Sequence, residues 1–189
     1  MKKARFFIAL TVFSLTAASL ACTVFIGGPD YPATSVAVST EAVGSLDQQV
    51  QAAQTAAVGS GILTLAINES QITSLLAAKL SAQTDPFMRD PQVLLRNGEI
   101  QVYGKAKQGY LEANIRIVLS ATIDAEGKPV ITVTSADFGP LPSPEGLNST
   151  FSAFMGEAFT GTLGPAAFGF RLENITIADG VMTLTGRVK

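Results

Sequence analysis

The chain has 189 residues, 47% of them hydrophobic and 15% charged, with a formal net charge of −2. That balance excludes a disordered chain. With no histidine and one cysteine, a Ser–His–Asp triad, a Cys/His metal cluster and an internal disulfide are excluded too.

The chain starts with Lys2, Lys3 and Arg5, then an uncharged apolar run from Phe6 to Leu20, then Ala21-Cys22. A basic head, an apolar stretch and small residues before a cut form a secretory signal. Ser19-Leu20-Ala21-Cys22 fits a loose lipoprotein pattern, with Ser19 where leucine is preferred. Residues 1–22 are therefore read as a lipoprotein signal, with Cys22 as the lipidation site. Two alternatives stay open. The uncharged run Phe6–Gly28 is long enough for an uncleaved span, which takes ~20 residues, or an ordinary signal is cut near Ala21. All three place the domain outside the cytoplasm, and the two anchored readings hold it to the membrane of a bacterial cell envelope. Setting aside the three basic residues of the head leaves 10 basic against 15 acidic, a net charge near −5. An acidic chain without a basic stripe is a poor nucleic-acid binder.

Residues 23–61 are rich in Ala, Ser, Thr, Gln and Gly and hold no Lys or Arg. This composition predicts a flexible tether. Val43, Leu46, Val50, Ala53 and Ala57 recur at helical spacing within it, so an amphipathic helix is the alternative to an Ala-rich linker.

One α+β domain is expected over 62–189. Ile62–Ile67 reads as a strand. Asn68 with Gln71 approximates a capping box for a helix over Glu69–Ala82, whose buried face is Ile72, Leu75, Leu76 and Leu80. Asn97-Gly98 marks a hairpin between Val93–Leu95 and Ile100–Ala106. Leu111, Ala113, Ile115, Ile117, Leu119, Ala121 and Ile123 then alternate with mostly polar residues. This predicts one strand over Tyr110–Asp124, ~50 Å long at 3.3 Å per residue, with one dry face. A strand of that length must twist and coil. Val130–Phe138 returns as a strand, and Gly139–Gly146 is a Pro-rich loop. Phe151, Phe154, Met155, Ala158, Phe159, Thr162 and Leu163 fall on one face of a second helix. Phe168–Ile177 and Val181–Val188 close the chain as a hairpin through Asp179-Gly180.

The segment Asn97–Lys107 echoes Asp179–Lys189 position for position: turn, apolar alternation, glycine (Gly104, Gly186) and a basic end. Each glycine is expected to mark a bend or bulge.

No catalytic constellation emerges. The 15 acidic residues are scattered singles. Glu69 and Gln71 read as helix-start residues. A lysine-bearing phosphate loop is missing, since Gly59-Ser60-Gly61 lacks the lysine. The chain is therefore expected to be non-enzymatic, without cofactor or metal.

The order of anchor, tether, strand, helix opening Glu69-Ser70-Gln71-Ile72-Thr73-Ser74-Leu75-Leu76, long meander, second helix and last strand resembles the YpmS-like family of membrane-anchored bacterial envelope proteins. More distantly it resembles tubular lipid-binding (TULIP-like) lipoproteins. The family's helix start reads Thr-Glu-x-Gln-Leu; here Asn68 and Ile72 replace the Thr and Leu. The resemblance covers Ile62–Lys189 and implies a highly curved antiparallel meander around one or two amphipathic helices, a TULIP-like half-module, with a groove for acyl chains. On that reading a lipid or other apolar ligand lies between Phe151, Phe154, Met155 and Phe159 on the helix and Ile115, Ile117 and Leu119 on the long strand. The alternative is a non-catalytic scaffold with a filled core that binds another envelope protein.

Overall fold

The computed structural model describes residues 23–143, 149, 151–157 and 170–188. The fold is α+β, a strongly curled half-barrel of mainly antiparallel strands packed against helices. Residues 1–22, expected to be a signal and including Cys22, lie outside the described residues, as do Phe159 and Leu163.

In chain order the elements are β1 (Val24–Phe25), α1 (Thr40–Ser60), β2 (Ile62–Asn68), α2 (Glu69–Ser81), β3 (Arg89–Arg96), β4 (Glu99–Gln108), β5 (Leu111–Ile123) and β6 (Pro129–Asp137). A helical segment at 151–157, α3, follows, then β7 (Phe170–Ala178) and β8 (Val181–Val188). The larger sheet runs β3-β4-β5, and the far edge of β5 is shared. There β1 pairs in parallel with Leu111 and Glu112, and β6 pairs antiparallel with Arg116–Ile123. The smaller sheet is β2-β8-β7, all antiparallel.

The long strand forms as the alternation requires. Ala113, Ile115, Ile117 and Leu119 are fully buried. Beyond them the dry face opens, and Ala121 and Ile123 are half-buried. The register against β6 slips between Val118 and Leu119, and Val118, on the expected wet face, is buried too.

Residues 23–61 are not a loose tether. Thr40–Ser60 is a helix capped by Ser39, whose hydroxyl accepts from the Ala42 N–H, and ended by Gly61 at φ 72°. Leu46, Val50 and Ala57 are buried, because α1 lies against β2 and α2. The apolar spacing of three and four residues found a real contact face. The segment before α1 is also tied down. Val24 N–H donates to Tyr110 O (2.7 Å), Ile26 N–H to Glu112 O (2.9 Å), and Asn114 N–H to Gly27 O (2.9 Å). With Val24–Gly27 paired to β5, an apolar span cannot continue to Gly28; any membrane-crossing run ends before Val24.

The capping box of α2 is complete. Asn68 Oδ1 accepts from Gln71 N–H (2.9 Å), and Gln71 Oε1 accepts from Asn68 N–H (3.0 Å). The other face of α2 is covered as well. Gln71 Nε2 donates to Ser45 Oγ and Gln49 Oε1 on α1 (3.0 Å each). Ser74 Oγ accepts from Ser39 N–H (3.1 Å), and Thr73 Oγ1 accepts from Val93 N–H on β3 (3.0 Å). Gln71, Thr73 and Ser74 are therefore buried but satisfied.

The start of α2 also joins the two sheets. Glu69 Oε1 accepts from Leu95 N–H (2.8 Å) and pairs with Arg96. Glu69 N–H donates to Gly180 O, and Gly180 N–H donates to Leu95 O, both at 3.2 Å. Both echoed hairpin turns thus meet at one helix N-terminus, where a carboxylate is favoured by the backbone dipole.

Candidate functional site

The residues singled out for an apolar groove lie largely in the core. Ile115, Ile117 and Leu119 are fully buried, as are Phe151 and Met155, and all belong to one hydrophobic cluster. Phe154 is half-buried against that cluster. Phe159 lies outside the described residues. Helix α3 is seated on β6 by Ser152, whose hydroxyl accepts from Val133 N–H (3.2 Å). Among the described residues, the part of the face at Phe151 and Met155 is packed into the core, the ordinary outcome for an apolar stripe.

Open apolar surface lies at the margin of this cluster instead. Phe87, from the loop between α2 and β3, stands edge-on to Phe151 (centroids 5.4 Å, 80°) and to Phe154 (6.4 Å, 83°), while Phe151 and Phe154 stack (6.4 Å, 26°). Such offset and edge-to-face pairs are the favoured aromatic geometries. Phe87 also forms one wall of a cleft of about 220 Å³. The other walls are Ala106, Lys107 and Gln108 at the end of β4, and Phe138, Leu141, Pro142 and Ser143 after β6.

That second wall is built by a local turn. Leu141 N–H donates to Phe138 O (3.2 Å), and Asp137 Oδ1 accepts from Gly139 N–H (2.8 Å). Both bonds fold the chain back as it leaves β6, so Phe138 and Leu141 face inward and are buried. The result is a small apolar recess with one cation, Lys107, at its edge. Three separate loops and strand ends supply its walls. Phe87 carried a weak signal, since it follows the breaker Asp85-Pro86. Phe138 and Leu141 flank a glycine and a proline, which marked a loop and said nothing of a wall.

A larger opening of about 450 Å³ lies between α2 and the start of β3. Its walls mix Ser81, Arg89, Asp90 and Gln92 with Val38, Leu80, Met88 and Pro91, so charged side chains interrupt an otherwise apolar lining. Its surroundings are braced by the N-terminal segment. Tyr31 donates its hydroxyl to Asp90 O and stands edge-on to Tyr103 (6.4 Å, 72°). Gln92 accepts from Val36 N–H and donates to Val36 O (3.3 Å). Burial first, and the Asp90 carboxylate second, push the Tyr31 phenol up to about 12.

Among the described residues no group of three His, Cys, Asp or Glu is placed to hold a metal ion. Among them, too, no helix is long and apolar enough to cross a membrane. No family model matches the chain, and no curated protein matches it either.

Proposed function

We propose that the chain is a non-enzymatic, membrane-anchored lipoprotein domain on the outer side of the cytoplasmic membrane. In this reading it holds an apolar segment of a lipid in the cleft walled by Phe87, Phe138 and Leu141. The observation that carries the reading is that cleft: about 220 Å³ of recess at the edge of the phenylalanine cluster. Size bounds the ligand. A dry apolar cavity of ~150 Å³ accommodates benzene, so this one suits a short stretch of a single acyl chain and not a whole phospholipid. Lys107 at the margin suits an acidic head group.

Uptake of the fluorescent fatty acid cis-parinaric acid by the full chain tests this. The parent protein is expected to raise its emission on binding. Ala106→Phe fills the cleft from β4 and should abolish the rise while circular dichroism stays unchanged. Leu141→Glu does the same by charge and covers the case in which the first variant misfolds. A parent chain that gives no rise, or a folded variant that keeps it, sinks the cleft reading.

The filled core favours a second reading. With Ile115, Ile117 and Leu119 fully buried, the domain also has the build of a rigid scaffold that binds another envelope protein through its wet sheet face. Failed uptake would shift the assignment there.

A further inference from the structure

The expected tether is absent where it matters most, at the point of attachment. Val24 is hydrogen-bonded to Tyr110 O, and Cys22 precedes it by two residues. Two residues reach ~7 Å at most. Whether the anchor is an acylated Cys22 or an apolar span, it therefore ends beside β1, and the domain has little freedom to stand away from the bilayer.

The surface at that place is apolar. Val24 is 52% exposed, Phe25 56% and Tyr110 69%. Val24 and Phe25 point to opposite sides of their strand, so with Tyr110 they make a protruding tip and not a flat patch. Lys107 and Gln108 at the end of β4 and Gly109 and Tyr110 of the β4–β5 turn are all exposed beside them. Lys107 is the last residue but one of β4, just before this turn, and lies opposite Glu112 on β5. An aromatic–aliphatic tip with a neighbouring lysine matches the chemistry of the membrane interface, where tyrosine rings sit at head-group level and lysine reaches phosphate.

We infer that this tip, Val24, Phe25 and Tyr110, lies in the interface of the phospholipid bilayer that holds the anchor, and that the domain is fixed on the membrane by this end. The inference rests on the anchored reading above, and not on ligand uptake. It also orients the cleft. Lys107 and Gln108, the end of β4 that leads into the turn carrying Tyr110, also line the cleft, so the recess opens beside the lipid surface and a tail has only a short path into it.

A second exposed apolar group, Val58, Ile62 and Val188 at the end of α1 and on the smaller sheet, is the natural control, with Val58 82% exposed. The full chain would be made in a bacterial host as Phe25→Cys, Tyr110→Cys or Val58→Cys. Each variant would be labelled with NBD and placed in vesicles of phosphatidylglycerol and phosphatidylcholine carrying doxyl-labelled lipid. The parent, with Cys22 alone, supplies the background. All three positions are exposed, so the substitutions leave the core intact. Loss of most emission at 25 and 110, with emission at 58 retained, is the expected result. A membrane-held chain that is quenched at 58 and not at 25 and 110, or at none of them, overturns the proposed face while leaving the anchor standing. Recovery of the chain in the soluble fraction removes the anchored reading and the proposal together.

Discussion

Tyr31 shows how a single residue ties the N-terminal segment to the sheet. Its hydroxyl donates to Asp90 O, and its ring meets Tyr103. Burial and Asp90 push its pKa up to about 12, against ~10 in an unfolded chain. The folded state thus holds the phenolic proton more tightly. Its contribution to stability is complete below about pH 10 and is lost as the pH rises through about 12. A phenolate absorbance titration should show a late step near pH 12 that disappears in Tyr31→Phe. A parent protein without that step contradicts the assignment. Tyr31 was unreadable as a contact because its partner is 59 residues away in sequence. Gln71 divides along the same line. Its role in the capping box is a matter of three residues and was legible. Its bonds to Ser45 and Gln49 span 26 and 22 residues and were not.

Among elements, the two echoed hairpins are the clearest case of local chemistry setting structure. Both turns adopt the positive φ that their residues favour: Asn97 55° and Gly98 79°, Asp179 51° and Gly180 78°. Each following strand carries its glycine opposite a register slip in its partner, between Arg89 and Gln92 on β3 and between Leu172 and Asn174 on β7. The glycines at these bulges are not equivalent. A Cβ on Gly186 would sit 2.5 Å from the Arg171 carbonyl oxygen, whereas on Gly104 it would meet the Met88 side chain at 2.3 Å. Methionine can repack; backbone in a paired strand cannot. Gly186→Ala is expected to cost about 1–3 kcal/mol of overpacking, and Gly104→Ala less. Urea midpoints for the two variants would settle it, and an equal or larger loss for Gly104→Ala would refute the argument.

At the scale of the whole molecule, the folded unit begins well before Ile62. Helix α1 covers β2 and the polar face of α2, burying Leu46, Val50 and Ala57. Leu46→Ala should therefore cost about 2–5 kcal/mol, as for a buried leucine elsewhere. A tether would leave the unfolding midpoint where it is, so an unchanged midpoint would restore the tether.

What the amino-acid sequence determined by itself is local in origin. A period of two made β5 a long strand with a dry face, Asn-Gly and Asp-Gly made two hairpins, and Asn68 with Gln71 started a helix. Each of these signals spans a few residues and depends on backbone sterics and nearest hydrogen bonds. The curl of the long strand followed from its length and twist. Tertiary structure alone decided which apolar faces meet. The stripe on α1 showed that something could be buried there, and only its contact with β2 and α2 made a helix of an Ala-rich segment. The stripe at Phe151 and Met155 went into the core, and the open recess formed instead where Phe87, Phe138 and Leu141 converge from distant loops. Hydrophobic burial has no direction, so a sequence pattern specifies that a face will leave water but not the surface that will cover it.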